Sequence, residues 1–199
     1  MEIFVKRNYA LESKKRFKEV ALGLNRPGVD RLVEWLENET DFFLAPASRT
    51  HHGAFEGGLV HHSLNVMDAA EQMARVLFNL KCVSINLNSL ILVALFHDVC
   101  KINLYKKIDE KWERTNRASL GHGEESLLMV QRFVDLTEEE QHAVRWHMGG
   151  FDHAVKGGEQ SLGNSYEKFP VAVLLHLADM AATYLLDSEP KQLGQAEEK

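Results

Sequence analysis

The sequence predicts an all-α protein, a compact bundle of about six or seven helices. Apolar residues recur at helical spacing through most of the chain, and residues that favour helix starts stand where these runs begin. The chain lacks the regularly repeated apolar strands of a parallel sheet. With 199 residues and 45% hydrophobic side chains, it is long enough to bury one substantial core.

The first half of the chain predicts three helices. Residues 10–24 are basic and amphipathic, and the stretch GVDRLVEWLENE has apolar residues at helical spacing. A loop that contains Pro46 follows. The double glycine Gly57-Gly58 then marks the start of a long helix with the sequence GGLVHHSLNVMDAAEQMARVLFNL.

The second half predicts three or four more helices. Residues 90–96 form an apolar run, for which we expect Asn88 or Ser89 as the capping residue. Residues 103–116 predict an irregular loop or a short hairpin, and GHGEESLLMVQRFVD predicts a helix. Thr137 and Glu140 have the spacing of a capping box. A glycine-rich loop over 149–163 should lead to a last helix that begins near Pro170.

The bulk composition excludes some functions. The net charge of −6 disfavours tight binding to duplex nucleic acid, because there is no overall positive charge to release its counterions. No apolar run has the length of a membrane span. The two cysteines, Cys82 and Cys100, lack the CxxC spacing, so we expect a reducing, cytoplasmic location and treat Cys100 as a small buried hydrophobe. The composition leaves the oligomeric state open.

Several histidines and aspartates interrupt buried apolar runs. His97 and Asp98 end the run LILVALF, and Asp179 lies within LLHLADMAA. A buried carboxylate is costly unless it is paired or binds a metal. Imidazole and carboxylate suit divalent metals such as Mn, Fe, Co, Ni or Zn. The predicted ligands come from separate helices and are His62, His97, Asp98, His122, His147 and Asp179.

The pattern resembles the HD-domain superfamily of metal-dependent phosphohydrolases over residues 50–186. The segments that carry this resemblance are GGLVHHSLNV, ALFHDVCK, GHGEESL, WHMGG and LLHLADM, in that order. The closest similarity is to the HD domain of YhaM-type 3′–5′ exoribonucleases, which share the order His51-His52, Gly57-Gly58-Leu59, His62-Ser63, His97-Asp98-Lys101, His122 and His147. Those exoribonucleases also carry an N-terminal oligonucleotide-binding barrel, for which residues 1–45 are too short and too helical.

The resemblance implies a domain organisation and roles for the site residues. Residues 1–45 would pack as helices on an HD-type domain at 46–187. The polar composition of the chain end separately predicts a disordered tail at 188–199, with the stretch from Asp187 onward frayed. His62, His97, Asp98 and Asp179 would hold one metal, and Asp98 would bridge to a second held by His122 and His147. The two ions would be Mn, Fe, Co, Ni, Mg or Zn, and manganese is the one we expect.

The resemblance also implies a reaction. Metal-activated hydroxide would hydrolyse a phosphoester of a nucleotide or a short single-stranded oligonucleotide, with Asp98, Lys101 and Glu124 as catalytic residues. Lys101 would also contact a substrate phosphate, and Glu124 would orient a ligand histidine or act as general base. The substrate-binding residues would be Lys101, His51, His52 and His153. Two alternatives stay open: an inactive metal- or nucleotide-sensing module that acts through a partner, and a diiron oxygenase on a related bundle.

Overall fold

The computed structural model describes residues 2–80 and 84–187, and for residues 2–9 it describes the backbone alone. These residues form a mainly helical bundle with one two-stranded hairpin, so the all-α prediction is confirmed. The helices are α1 (Glu2–Gly23), α2 (Val29–Asn38), α3 (Gly58–Asn79), α4 (Leu87–Phe96), α5 (His122–Gln131), α6 (Glu138–Trp146), α7 (His153–Lys156), α8 (Ser161–Lys168) and α9 (Pro170–Ala181); the strands are β1 (Tyr105–Ile108) and β2 (Lys111–Arg114).

The core lies between α3, α4, α6 and α9. Helix α3 packs against both α4 and α9, and α6 packs against α9. The side chains of α4 from Leu92 to Phe96 are all buried, as the apolar run predicts. Phe17 of α1 packs with its ring centroid 5.4 Å from that of Phe96, which joins the N-terminal helices to this core. The domain boundary that we place at residue 46 stays a prediction, and the tail at 188–199 lies outside the described residues.

The helix starts follow the sequence closely, with one correction. Pro170 is the first residue of α9, and Thr137 and Glu140 form the expected capping box of α6. The cap of α4, however, is Asn86 and not Asn88 or Ser89: its side-chain oxygen accepts hydrogen bonds from the backbone N–H groups of both those residues, at 3.0 and 3.3 Å. Asn86 is the cap because a capping side chain must lie just outside the helix to reach the free N–H groups of its first turn.

Two irregular segments are more ordered than their composition suggests. Residues 103–116 contain the antiparallel pair β1–β2, which confirms the hairpin alternative. The prediction of a loop over 149–163 is wrong: a 3₁₀ turn occupies Gly149–Phe151, α7 follows, and α8 starts at Ser161. Asp152 stabilises α7 by accepting a hydrogen bond from the Ala154 N–H at 2.8 Å. The described part of the chain therefore has more helices than expected.

The helix lengths bear on membrane insertion. In residues 2–80 and 84–187, no single helix is both long and apolar enough to cross a bilayer. Segments Ser161–Lys168 and Pro170–Leu186 reach that length only together, and the chain bends by 107° between them.

Candidate metal centre

The predicted ligand residues meet in the interior of the bundle. His62 lies in the second turn of α3, and His97 and Asp98 follow the last residue of α4. His122 opens α5, His147 follows α6, and Asp179 lies on α9. The double glycine sets the position of α3, because a side chain on Gly58 would collide with the backbone oxygen of Gly53. Residues from five helical segments thus converge, as the sequence predicts.

Asp98 stands at the centre of this cluster, and 2% of it is exposed. Lys101 Nζ lies 2.6 Å from Oδ2, one helical turn along the chain. Both carboxylate oxygens also face imidazole Nε2 atoms, at 3.5 Å for His62, 3.4 Å for His97, 2.6 Å for His122 and 3.5 Å for His147. The second carboxylate, that of Asp179, places Oδ1 at 3.2 Å from His62 Nε2 and 3.9 Å from His97 Nε2.

Backbone carbonyls orient two of the imidazole rings through their Nδ1 atoms. Nδ1 of His97 lies 2.8 Å from the Ala94 carbonyl, and Nδ1 of His147 lies 2.7 Å from the Val144 carbonyl. A carbonyl only accepts hydrogen bonds, so each Nδ1 carries the proton and donates it. Each Nε2 atom then directs a lone pair towards the two carboxylates. This orientation from behind is typical of metal-ligating histidines.

These inward nitrogens have no hydrogen-bond partner. Within the described residues, the Nε2 atoms of His62, His97 and His147 are buried and unpaired. Imidazole lone pairs that face carboxylate oxygens repel them unless a cation lies between. The donor set, three or more imidazoles and two carboxylates, suits a divalent transition metal. The residues present therefore fit the metal that the sequence analysis predicts.

The electrostatics of the cluster favour ionised carboxylates. Burial opposes the charge on Asp98, but Lys101, His97 and His122 outweigh it and hold the pKa of this carboxyl well below its usual value. Burial likewise opposes the charge on Asp179, and its contacts with His62 and His97 lower the pKa of this carboxyl. Both groups are therefore ready to act as ligands.

One residue of the centre is missing from the sequence-based set. Asp187 Oδ2 lies 2.6 Å from Nδ1 of His62, and its Oδ1 accepts a hydrogen bond from Asn65 at 2.6 Å. The side chains of both His62 and Asp187 are fully buried. The expectation that the chain frays from Asp187 onward is therefore wrong at this residue.

The backbone explains why Asp187 reaches the centre. Residues Ala182–Leu186 form a π turn, closed by a hydrogen bond of 2.8 Å from the Asp187 N–H to the Ala182 carbonyl. Such a turn holds an extra residue and often occurs at functional sites. The sequence gives one weak indication that Asp187 is ordered, because the apolar residues Leu185 and Leu186 continue the helical pattern up to it.

A cavity of about 310 Å³ opens over the centre. Asp98, Lys101, His122 and Asp179 line its floor, and His52 borders it with its ring centroid 5.1 Å from that of His62. The remaining lining residues are Ala47, Ser48, Tyr105, Met148, Phe151, His176, Met180, Thr183 and Tyr184.

The other predicted site residues lie further out. His51 and His153 are exposed and do not border this cavity, and Glu124 pairs with Arg145 at 2.5 Å. Cys100 is buried with its Sγ 3.4 Å from Nδ1 of His122. Burial, with the charge of Asp98, raises the pKa of this thiol to about 12. Asp98, Cys100 and His122 offer donor atoms that all lie within 4.8 Å of one another.

Comparison with known proteins finds a family match over the part of the chain that contains the candidate metal centre. The HD domain family matches residues 59–184, which is more than half of the chain. A curated protein of Methanocaldococcus jannaschii, named dihydroneopterin 2′,3′-cyclic phosphate phosphodiesterase, is 37% identical over 79 residues. That alignment covers 39% of this chain and 32% of the relative, so the chain spans about a third of that protein. No solved structure matches. The family match includes every predicted ligand and ends before Asp187.

Proposed function

Because this chain belongs to the HD domain family, we propose that it is a metal-dependent phosphodiesterase that hydrolyses a nucleotide or a short single-stranded oligonucleotide. The observation that carries this proposal is the set of buried, unpaired Nε2 atoms of His62, His97 and His147 facing two carboxylates. A divalent cation between the rings and the carboxylates would satisfy these donors, and both carboxylates, Asp98 and Asp179, line the cavity. The particular similarity to YhaM-type enzymes stays a prediction.

The centre has enough donors for two ions. His62, His97, Asp98 and Asp179 would hold one, and Asp98, His122 and His147 the other. When bound, divalent ions of this kind lower the pKa of coordinated water and offset negative charge on phosphoryl oxygens. The resemblance supports the number two; the identity of the ions, including our expectation of manganese, is part of the proposal.

The chain itself would orient the substrate. Lys101 lies at the cavity floor with its ammonium beside Asp98, where it can offset the charge of a phosphate. His52 borders the same cavity and can donate a hydrogen bond to a phosphoryl oxygen. Glu124 lies two residues after His122 and binds Arg145, so we assign it to positioning the first turn of α5. His51 and His153 would contact only the outer part of a substrate.

A mononucleotide or dinucleotide fits better than a longer strand. A strand needs a basic groove with aromatic platforms. Among the α1 side chains that the structure describes, Arg16 pairs with Asp68 and Lys18 with Glu37. Arg117 donates to the Cys100 carbonyl and to Glu125. These cations are therefore engaged within the protein.

The relative from M. jannaschii favours a second candidate substrate class. Its name specifies a 2′,3′-cyclic phosphate. A five-membered cyclic phosphodiester is compact, and the cavity volume of about 310 Å³ accommodates a small ligand. We therefore include nucleoside 2′,3′-cyclic phosphates among the substrates to be tested.

The test is turnover of bis-p-nitrophenyl phosphate and of a panel of linear and 2′,3′-cyclic nucleotides, with Mn²⁺, Co²⁺, Ni²⁺ and Mg²⁺ supplied separately. We expect hydrolysis that Asp98→Asn abolishes and that Asp68→Asn, a change in an exposed ion pair with Arg16, leaves intact. Stoichiometric metal binding without cleavage of any phosphoester would favour the sensing module instead. Bound iron with an absorbance change in oxygen would favour the oxygenase.

A further inference from the structure

We propose that one wall of the cavity binds a single flat heterocycle of the substrate by stacking, and that the protein selects substrates by the size of this ring. The inference rests on the proposed function and specifies the substrate class of the same site. By the wall we mean the aromatic and methionine side chains that border the cavity, which are Tyr105, Met148, Phe151, Met180 and Tyr184.

Two aromatic rings of this wall are exposed to solvent. Phe151 is 47% exposed and Tyr184 is 58% exposed, although both border a cavity whose floor is charged. Phosphate binding needs the floor and makes no use of aromatic rings. Aromatic side chains, in contrast, stack with nucleobases, and methionine adapts its shape to flat apolar ligands. The wall is therefore suited to bind the base of a nucleotide, while the floor binds its phosphate.

The chain fixes this wall relative to the metal centre. Met148 directly follows His147, and Met180 directly follows Asp179. Phe151 ends the 3₁₀ turn that starts at Gly149, whose φ of +52° favours glycine and whose missing side chain leaves room for the His176 ring. A ring on the wall would thus lie near the residues that we propose for binding the phosphate.

Three polar side chains that border the cavity, those of Ser48, Thr183 and His176, have partners within the protein. Ser48 Oγ donates to the His52 carbonyl and accepts from the His51 N–H. Thr183 Oγ1 lies 3.4 Å from Asp179 Oδ1, and Nδ1 of His176 lies 2.7 Å from the His147 carbonyl. Recognition by stacking is tolerant of base identity, since every base has a flat face. We therefore expect a preference for purines over pyrimidines, set by ring area.

The experiment compares substrates with and without a base. The substrates are adenosine and cytidine 2′,3′-cyclic phosphates and the base-free glycerol 1,2-cyclic phosphate, assayed by kcat/KM with the wild type, Phe151→Leu and Phe78→Leu. Phe78 is a matched control, because it is 72% exposed and borders a different cavity with Arg75 and Leu87. We expect the wild type to favour the adenosine substrate over the base-free one by about tenfold. Phe151→Leu should lose most of this ratio, and Phe78→Leu should keep it.

A binding measurement separates this inference from the proposed function. Calorimetry of the Mn²⁺-loaded protein with AMP and with ribose 5-phosphate reports on the wall even if no phosphoester is cleaved. Tighter binding of AMP that depends on Phe151 supports the wall, whatever the turnover. Equal binding of the two ligands, or a ratio that Phe151→Leu leaves unchanged, overturns it while leaving any phosphodiesterase activity in place.

Discussion

Replacement of Asp187 by asparagine should weaken metal binding at a residue that is not itself one of the proposed ligands. The carboxylate lies 2.6 Å from Nδ1 of His62 and also accepts from Asn65, and the side chains of His62 and Asp187 are fully buried. An asparagine has one oxygen, so it can accept from only one of these donors, and its own N–H₂ faces the other. His62 then loses either its orientation or the charge that makes Nε2 a stronger ligand.

The expected size follows from the behaviour of carboxylates that support metal-ligating histidines. Loss of such a partner lowers metal affinity by about 10- to 100-fold, or about 1.4 to 2.8 kcal/mol. The measurement is competition for Mn²⁺ or Co²⁺ against a chelator of known affinity, with the Co²⁺ absorption spectrum as a second readout. Asp68→Asn is the matched control, since that carboxylate pairs with Arg16 on the surface. Wild-type metal affinity in Asp187→Asn would refute the reasoning.

Two further predictions concern stability. Glu140 is fully buried; burial opposes its charge, but hydrogen bonds from Arg26 outweigh this and lower its pKa below the usual value of 4.5. The ionised carboxylate therefore stabilises the fold above about pH 4.5, and this stabilisation is lost as the pH falls through the lowered pKa. Glu140→Gln should lower the free energy of unfolding by about 2 kcal/mol at pH 7 and by less at pH 3.5, as measured by urea denaturation. Gly28 has a φ of +88°, and a side chain there would collide with the Phe133 carbonyl. Gly28→Ala should therefore lower the free energy of unfolding by about 3 kcal/mol. The control is Gly163→Ala, because Gly163 has open space around it, and equal Tm values for the two variants would contradict the prediction.

The convergence of His97, Asp98 and Asp179 could be predicted because these residues break a strong local pattern. His97 and Asp98 end an apolar helix, and Asp179 lies between apolar residues, so burial and charge conflict within a few residues of sequence. A metal resolves that conflict, and helical spacing alone shows that the polar groups face the core. The fold class was predictable for the same reason.

Asp187 and the segment 149–163 could not be predicted in this way. Asp187 directly follows Leu186 and opens the polar stretch at the end of the chain, and the π turn at Ala182–Leu186 directs it towards His62. The glycines at 149 and 150 indicate a loop by composition, yet tertiary packing against His176 and the cap at Asp152 order the backbone there. In both places, contacts distant in sequence override the local preference.

The π turn has a consequence for how this protein tolerates insertions and deletions. One helix and its terminal turn carry Asp179 and Asp187, with Met180 and Tyr184 between them. Each residue added to or removed from a helix rotates everything beyond it by about 100°. A substitution at the exposed Tyr184 can therefore change the cavity lining, whereas a change of one residue in length would turn Asp187 away from His62. Natural or engineered variation of specificity in this segment should exchange side chains and conserve the residue count.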